Sequence, residues 1–184
     1  MSVEVEWTDV KGNTETITIP IDTVTIDLAS KEITKIDLSP MKDLTSLHVL
    51  SLRHNLITDL DLSPLSNCSE LRAIDLDNNH LETLDLTPLT ACMKLVDLDL
   101  EANNIRYINL EPLASCTLLE ILDLSGNLLQ EVEITPLSNC QNLKRLDLDG
   151  NQLNEIDLSP LTSCKELNKI LLNENSLSEI DLAP

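Results

Sequence analysis

A 24-residue pattern recurs from about Thr23 to the end of the chain, and it leaves little freedom in the fold. Leu71 to Cys92, LRAIDLDNNHLETLDLTPLTAC, is one copy. Copies open at Leu47, Leu71, Leu95, Leu119, Leu143 and Leu167, with no insertion or deletion between them. A fixed period of this size marks an array in which each copy is one structural unit and neighbours stack to share a core. Composition agrees. The only aromatics among 184 residues are Trp7 and Tyr107, so the core must be aliphatic, as stacked coils of Leu and Ile provide.

Each coil divides into three parts. Ile74-Asp75-Leu76 is a short strand with alternate side chains in and out, and its equivalents pair into one parallel sheet. Asn79 follows, with Asn55, Asn103, Asn127, Asn151 and Asn175 at the same phase. A buried amide can satisfy backbone groups in a turn, and losing it would strand them at about 1–3 kcal/mol each. The return path is Leu84-Asp85-Leu86-Thr87-Pro88-Leu89. Ser or Thr before Pro predicts an N-cap followed by Pro at the first position of one helical turn.

The consensus L-x-x-L-x-L-x-x-N-x-L, with Ile allowed for Leu, resembles the leucine-rich repeat family over about 23–184. The resemblance implies an α/β, right-handed solenoid. It would carry a concave parallel sheet, short helical turns on the convex side, and partners bound on the concave face. The tail, L-x-x-L-D-L-[ST]-P-L-x-x-C, lacks the Phe of secreted receptor repeats and the Ile-Pro of plant receptor repeats. Its Cys followed by x-x-L is similar to bacterial surface repeats of the treponemal type.

Residues 1–22 depart from the period. Val3, Val5 and Trp7 alternate with Glu4, Glu6 and Thr8, and Ile17, Ile19 and Ile21 with Thr16, Thr18 and Pro20. The reading is a β-hairpin cap turning near Lys11-Gly12-Asn13 and covering the open first coil, with Trp7 in the cap core. Residues 23–184 then form seven coils. In the first, Lys31 stands in place of Asn and Leu44 in place of Cys. The last stops at Ala183-Pro184, which points to a chain cut from a longer protein. The alternative is an end-to-end dimer through the uncapped coil.

Cys68, Cys92, Cys116, Cys140 and Cys164 lie one period apart. Their odd number, the Leu44 equivalent and the flanking core Leu residues favour buried, reduced thiols over disulfides. His48, His54 and His80 are out of phase with them, so no cysteine metal site is expected.

Function must then be read from the outward strand positions. The central column is Asp27, Ser51, Asp75, Asp99, Asp123, Asp147 and Leu171. Two residues later come Ala29, Arg53, Asp77, Glu101, Ser125, Asp149 and Asn173; two earlier come Thr25, Val49, Ala73, Asp97, Ile121, Arg145 and Lys169. The middle of the face is a carboxylate patch flanked by Arg53, Arg145 and Lys169. Stacked Asp residues about 4.8 Å apart repel by about 0.9 kcal/mol per pair in water. A second acidic row, Asp37, Asp61, Asp85, Glu133, Asp157 and Asp181, with Asn109 breaking it, reads as solvation of the return edge.

The formal charge of −20 argues against nucleic acid or anionic membrane as partners and for a basic or mixed-charge protein surface. No Ser-His-Asp set, Gly-rich phosphate loop or H-E-x-x-H run occurs. A shallow face without inserted loops offers no pocket to separate carboxylate pKa values, so no enzymatic activity and no cofactor are expected. The expected function is a protein-interaction scaffold. Asp75, Asp77, Asp97, Asp99, Glu101, Asp123 and Asp147 attract the partner, with Ile121 as apolar anchor and Arg145 at the margin. The alternatives are Ca²⁺ bound along Asp75, Asp99 and Asp123, and regulation of a GTPase, which some leucine-rich repeat families perform. Met1–Glu6 lacks a basic segment followed by an apolar run, and no apolar stretch approaches a span of about 20 residues. The expectation is a soluble, cytoplasmic protein.

Overall fold

The computed structural model describes residues 1–178. Its backbone of strands and turns follows the period. Strands β3 (Thr25–Asp27), β5 (Val49–Ser51), β6 (Ala73–Asp75), β7 (Asp97–Asp99), β8 (Ile121–Asp123), β9 (Arg145–Asp147) and β10 (Lys169–Leu171) form one seven-stranded parallel sheet, each beside the next in chain order. The pairing keeps phase throughout: Asp75 faces Asp99, Asp99 faces Asp123 and Asp123 faces Asp147. Register is therefore the sequence period made physical, and the columns read from the sequence are real columns on the sheet.

The amide ladder works as the residue type requires. Asn79 Oδ1 accepts from Ile57 N–H at 3.1 Å, while Nδ2 donates to the carbonyls of Leu52, Leu76 and Asp77 at 3.0, 3.1 and 3.2 Å. Asn103 repeats this with Leu81 N–H and the Leu76, Leu100 and Glu101 carbonyls. Each amide ties its own turn to the preceding coil. Beneath them the Leu and Ile positions form a continuous core, with Leu71, Leu76, Leu95 and Leu119 fully buried. All five Cys are free and buried. Cys68 Sγ lies 3.5 Å from the Met41 carbonyl of the coil before, and burial pushes its thiol up to about 11.

Two features of the return path differ from expectation. The helical turns are five-residue 3-10 segments: η1 (Ser39–Asp43), η2 (Ser63–Asn67), η3 (Thr87–Ala91), η4 (Glu111–Ser115), η5 (Thr135–Asn139) and η6 (Ser159–Ser163). Ser or Thr is inside each of five of these turns and does not cap it; the N-cap is the Leu or Ile before it, with no side-chain cap bond. The capping acceptor comes from one residue earlier still. Asp61 Oδ1 takes the Ser63 N–H at 2.8 Å, Asp85 the Thr87 N–H at 2.9 Å and Asp157 the Ser159 N–H at 2.9 Å. Asn109, the apparent break in that row, makes the same bond to Glu111 N–H through its amide oxygen at 3.0 Å. Among the described residues the second acidic row is thus exposed, as read from the sequence, and also serves as a row of hydrogen-bond acceptors that start the turns. Hydrogen bonds from Thr87 hold the Asp85 carboxyl below its ordinary range, and those from Thr135 do the same for Glu133.

At the N-terminal end, β1 (Ser2–Asp9) and β2 (Thr14–Pro20) make the expected antiparallel hairpin. β1 also pairs with β4 (Ile33–Ile36), the return segment of the first coil, giving a three-stranded sheet. Val5 and Ile19 are buried and Trp7 packs half-buried against the core. The far end of coil seven, including Ile180, Asp181, Leu182, Ala183 and Pro184, lies outside the described residues, and with it the proposed uncapped end.

Candidate functional site

The concave face carries the side chains expected to bind a partner on β6 to β9 and the residues just after them. Because side chains alternate along a strand, Ile74, Leu98, Leu122 and Leu146 point into the core while Asp75, Asp99, Asp123 and Asp147 point outward. Outward does not mean exposed here. Asp123 and Asp147 are 2% and 3% exposed, and Arg145 is the reason. Arg145 stands one column aside on β9, yet its guanidinium lies over the central column. Nη2 donates to Asp147 Oδ2 at 2.5 Å and lies 3.1 Å from Asp123 Oδ2. Ser125 Oγ donates to Asp123 Oδ1 at 2.6 Å. Asp123, Arg145 and Asp147 are therefore a packed charge triad. The sequence reading that made Asp123 and Asp147 free attracting carboxylates and Arg145 a bystander at the margin is corrected on that ground.

The remaining carboxylates are arranged differently. Asp75 accepts from Ser51 Oγ at 3.1 Å and faces Arg53 Nε at 3.8 Å. Asp77 Oδ1 is shielded from solvent and accepts no hydrogen bond; His54 Nε2 stands 3.9 Å away. Among the described residues, Asp97, Asp99 and Glu101 have no cation within ion-pair distance. Burial pushes the Asp99 carboxyl up to about 7, opposed by the Glu101 N–H it accepts and reinforced by the charges of Asp123, Asp75 and Asp77. Burial, with Asp75 and Asp123, raises Asp97; burial, with Asp123 and Asp77, raises Glu101. The carboxylate patch thus splits into a partly neutralised half on β8 and β9 and an uncompensated half centred on β7. Ile121 sits half-buried between them, paired in register with Asp97 on one side and Arg145 on the other.

Oxygens of Asp75, Asp77 and Asp99 lie within 4.8 Å of one another, as do those of Asp99, Glu101 and Asp123. The first trio could contribute to a cation's shell, but Ca²⁺ takes six to eight oxygens, so about half would have to come from elsewhere. In the second, the triad bonds already engage Asp123. The Asp75, Asp99 and Asp123 ladder set out from sequence is therefore not the grouping the geometry makes; Asp99 belongs to both trios and Asp77 replaces Asp123 in the freer one.

One positional class on this face escaped the sequence reading. His54, Asn78, Ala102, Gly126 and Gly150, at one phase, all have positive φ, from 51° to 65°. Asn78, next in the chain after the outward Asp77, is in that class, so its residue type answers to the turn. The signal was present, since Asn78, Gly126 and Gly150 are all types that tolerate left-handed backbone.

No described helix is long and apolar enough to cross a membrane. Comparison with curated proteins gives no match. Among solved structures, an internalin of Listeria monocytogenes is similar at 26% identity, with a TM-score of 0.68 over 89% of this chain and 49% of its own. A leucine-rich repeat protein of Leptospira interrogans shares the fold with a TM-score of 0.75 at 23% identity, over 88% of this chain and 39% of that one. The chain spans less than half the length of either structure. Leucine-rich repeat family models match residues 23–81, 69–129 and 142–164, most of the chain. With the parallel sheet and the amide ladder already described, these matches place the chain in the leucine-rich repeat family.

Proposed function

We propose that the chain is a non-catalytic scaffold that binds a protein of basic or mixed charge on its concave face. Leucine-rich repeat proteins generally act as protein-interaction scaffolds, and the chain's family supports that much. The finer reading rests on one observation: the carboxylates centred on β7 are gathered without a cation, while those on β8 and β9 carry their own. Burial, reinforced by neighbouring carboxylates such as Asp123, raises the pKa values of Asp97, Asp99 and Glu101, which is an unfavourable arrangement for the isolated chain. A lysine or arginine from a partner relieves it. Ile121 offers the adjoining apolar contact, and Lys169 on β10 sets an opposite-charge margin that disfavours wrong placements.

The test is the salt dependence of binding to a partner captured with this chain as bait. Raising ionic strength from about 0.05 to 0.3 M shortens the Debye length and should weaken the complex several-fold. An affinity independent of salt would overturn the electrostatic part of the reading.

A further inference from the structure

A second concavity lies away from the parallel sheet, on the return side of coils four to six. Residues 107–111, 131–134, Pro136 and 155–157 line a groove of about 680 Å³. It forms where the array departs from its own pattern. Coil five has Val132-Glu133-Ile134 where coils two and three have Leu60-Asp61-Leu62 and Leu84-Asp85-Leu86. Leu60 and Leu84 are both 7% exposed, whereas the shorter Val132 is only half-buried, as is Ile156 beside it in the next coil. The result is an apolar floor open to solvent. Tyr107, the only tyrosine, lines one wall and is 62% exposed. Glu111, Glu131, Glu133, Glu155 and Asp157 line the remainder, and among the described residues no lysine or arginine does.

These parts fit one chemistry. A long cationic side chain needs apolar contact for its methylenes, a π face or carboxylates for its charged head, and room to enter. Tyr107 supplies the ring, Val132 and Ile156 the floor, and Glu131, Glu155 and Glu111 the charge. Glu133 and Asp157 add charge while capping η5 and η6. We infer that this groove is a second docking surface, distinct from the concave face, and that its occupant is an arginine- or lysine-rich segment of a partner protein.

The experiment uses the full, uniformly ¹⁵N-labelled chain titrated with N-acetylated, C-amidated hexa-arginine, followed by amide shifts. The expected result is saturable shifts centred on residues 107–111, 131–136 and 155–157. Tyr107→Leu, which keeps an apolar side chain but removes the ring, should weaken binding there about 2–5-fold. Adding Glu131→Gln and Glu155→Gln should weaken it further. Asp99→Asn with Glu101→Gln should leave the groove shifts in place, which separates this surface from the concave one. Glu4→Gln with Glu6→Gln on β1 controls for the loss of two surface charges and should change groove binding little. Shifts spread evenly over the acidic surface, shifts confined to β6–β9, or groove variants that bind no worse than the β1 control would each overturn the inference. All the substituted groove side chains are exposed, so the variants should fold, and their amide spectra check that directly.

Discussion

Replacing Arg145 with methionine tests the account of the concave face at its most specific point. The substitution keeps an unbranched apolar stem and removes the guanidinium. It leaves Asp123 and Asp147, at 2% and 3% exposure, without their cation. Breaking a buried ion pair from one side costs about 3–5 kcal/mol. Arg145 itself is 36% exposed, so solvent shares its charge and the lower end, about 3 kcal/mol, is expected. In a chain of this size that lowers the thermal midpoint by about 6–12 °C. It would lower the urea midpoint by about 1–1.5 M. Far-UV circular dichroism in urea reads it directly. A pH arm sharpens the test. Orphaned carboxylates in the variant resist ionisation, so their folded pKa values rise, and such groups destabilise above the unfolded pKa and are relieved as protons bind. The loss should therefore be larger at about pH 8 than at about pH 4.5. A loss under about 1 kcal/mol at both pH values would mean that Arg145 is a surface residue of the ordinary kind, and the division of the face into two halves would fall.

Three further outcomes follow from the same geometry. Asp85→Ala removes the acceptor that starts η3 and should lower the urea midpoint, whereas Asp85→Asn should change it little, because Asn109 already does this work in coil four; equal losses in urea melts would show that charge mattered and the bond did not. Asp99, raised to about 7 by burial, should make the chain gain stability as pH falls from above 7 toward the ordinary carboxylate range, and Asp99→Asn should flatten that window in melts taken across it. Asp37, Asp85, Glu133 and Asp157, all lowered by their Ser or Thr hydrogen bonds, act oppositely and withdraw their stabilisation only in more acid solution, as pH falls through their folded values. The thiols of Cys92 and Cys140, pushed up to about 12 chiefly by burial, should ignore an aromatic disulfide reagent at neutral pH until urea unfolds the chain; rapid reaction in the folded state would contradict their packing.

Most of the framework was legible because a strict period leaves few choices. The phase of Asn79 and its equivalents, the inward Leu and Ile columns, the buried Cys positions and the N-terminal hairpin all follow from residue type at a fixed spacing. What was not legible concerns side chains that do two jobs or reach sideways. Asp61 and Asp85 look like solvating charges, and only Asn109, which shares their acceptor and lacks their charge, hints that they cap a turn. Arg145 lies in the column of Asp97 and Ile121, beside that of Asp123 and Asp147, and nothing in a one-dimensional pattern says that its six-atom reach ends over those two carboxylates. The pairing of β1 with β4 was hidden for a related reason: hydrogen bonding between a cap and a coil leaves no periodic trace.

The central claim is that the uncompensated carboxylates on and beside β7 select the partner, and one comparison tests it most directly. The dissociation constant of a captured partner is measured for the wild-type chain, for Asp99→Lys with Glu101→Lys, and for Glu4→Lys with Glu6→Lys on the exposed side of the N-terminal cap. Both double variants change net charge equally, so any difference between them is one of place. The account predicts at least about tenfold weaker binding for the β7 pair, corresponding to about 1.4 kcal/mol, and little change for the cap pair. Equal affinities for the two double variants would contradict it.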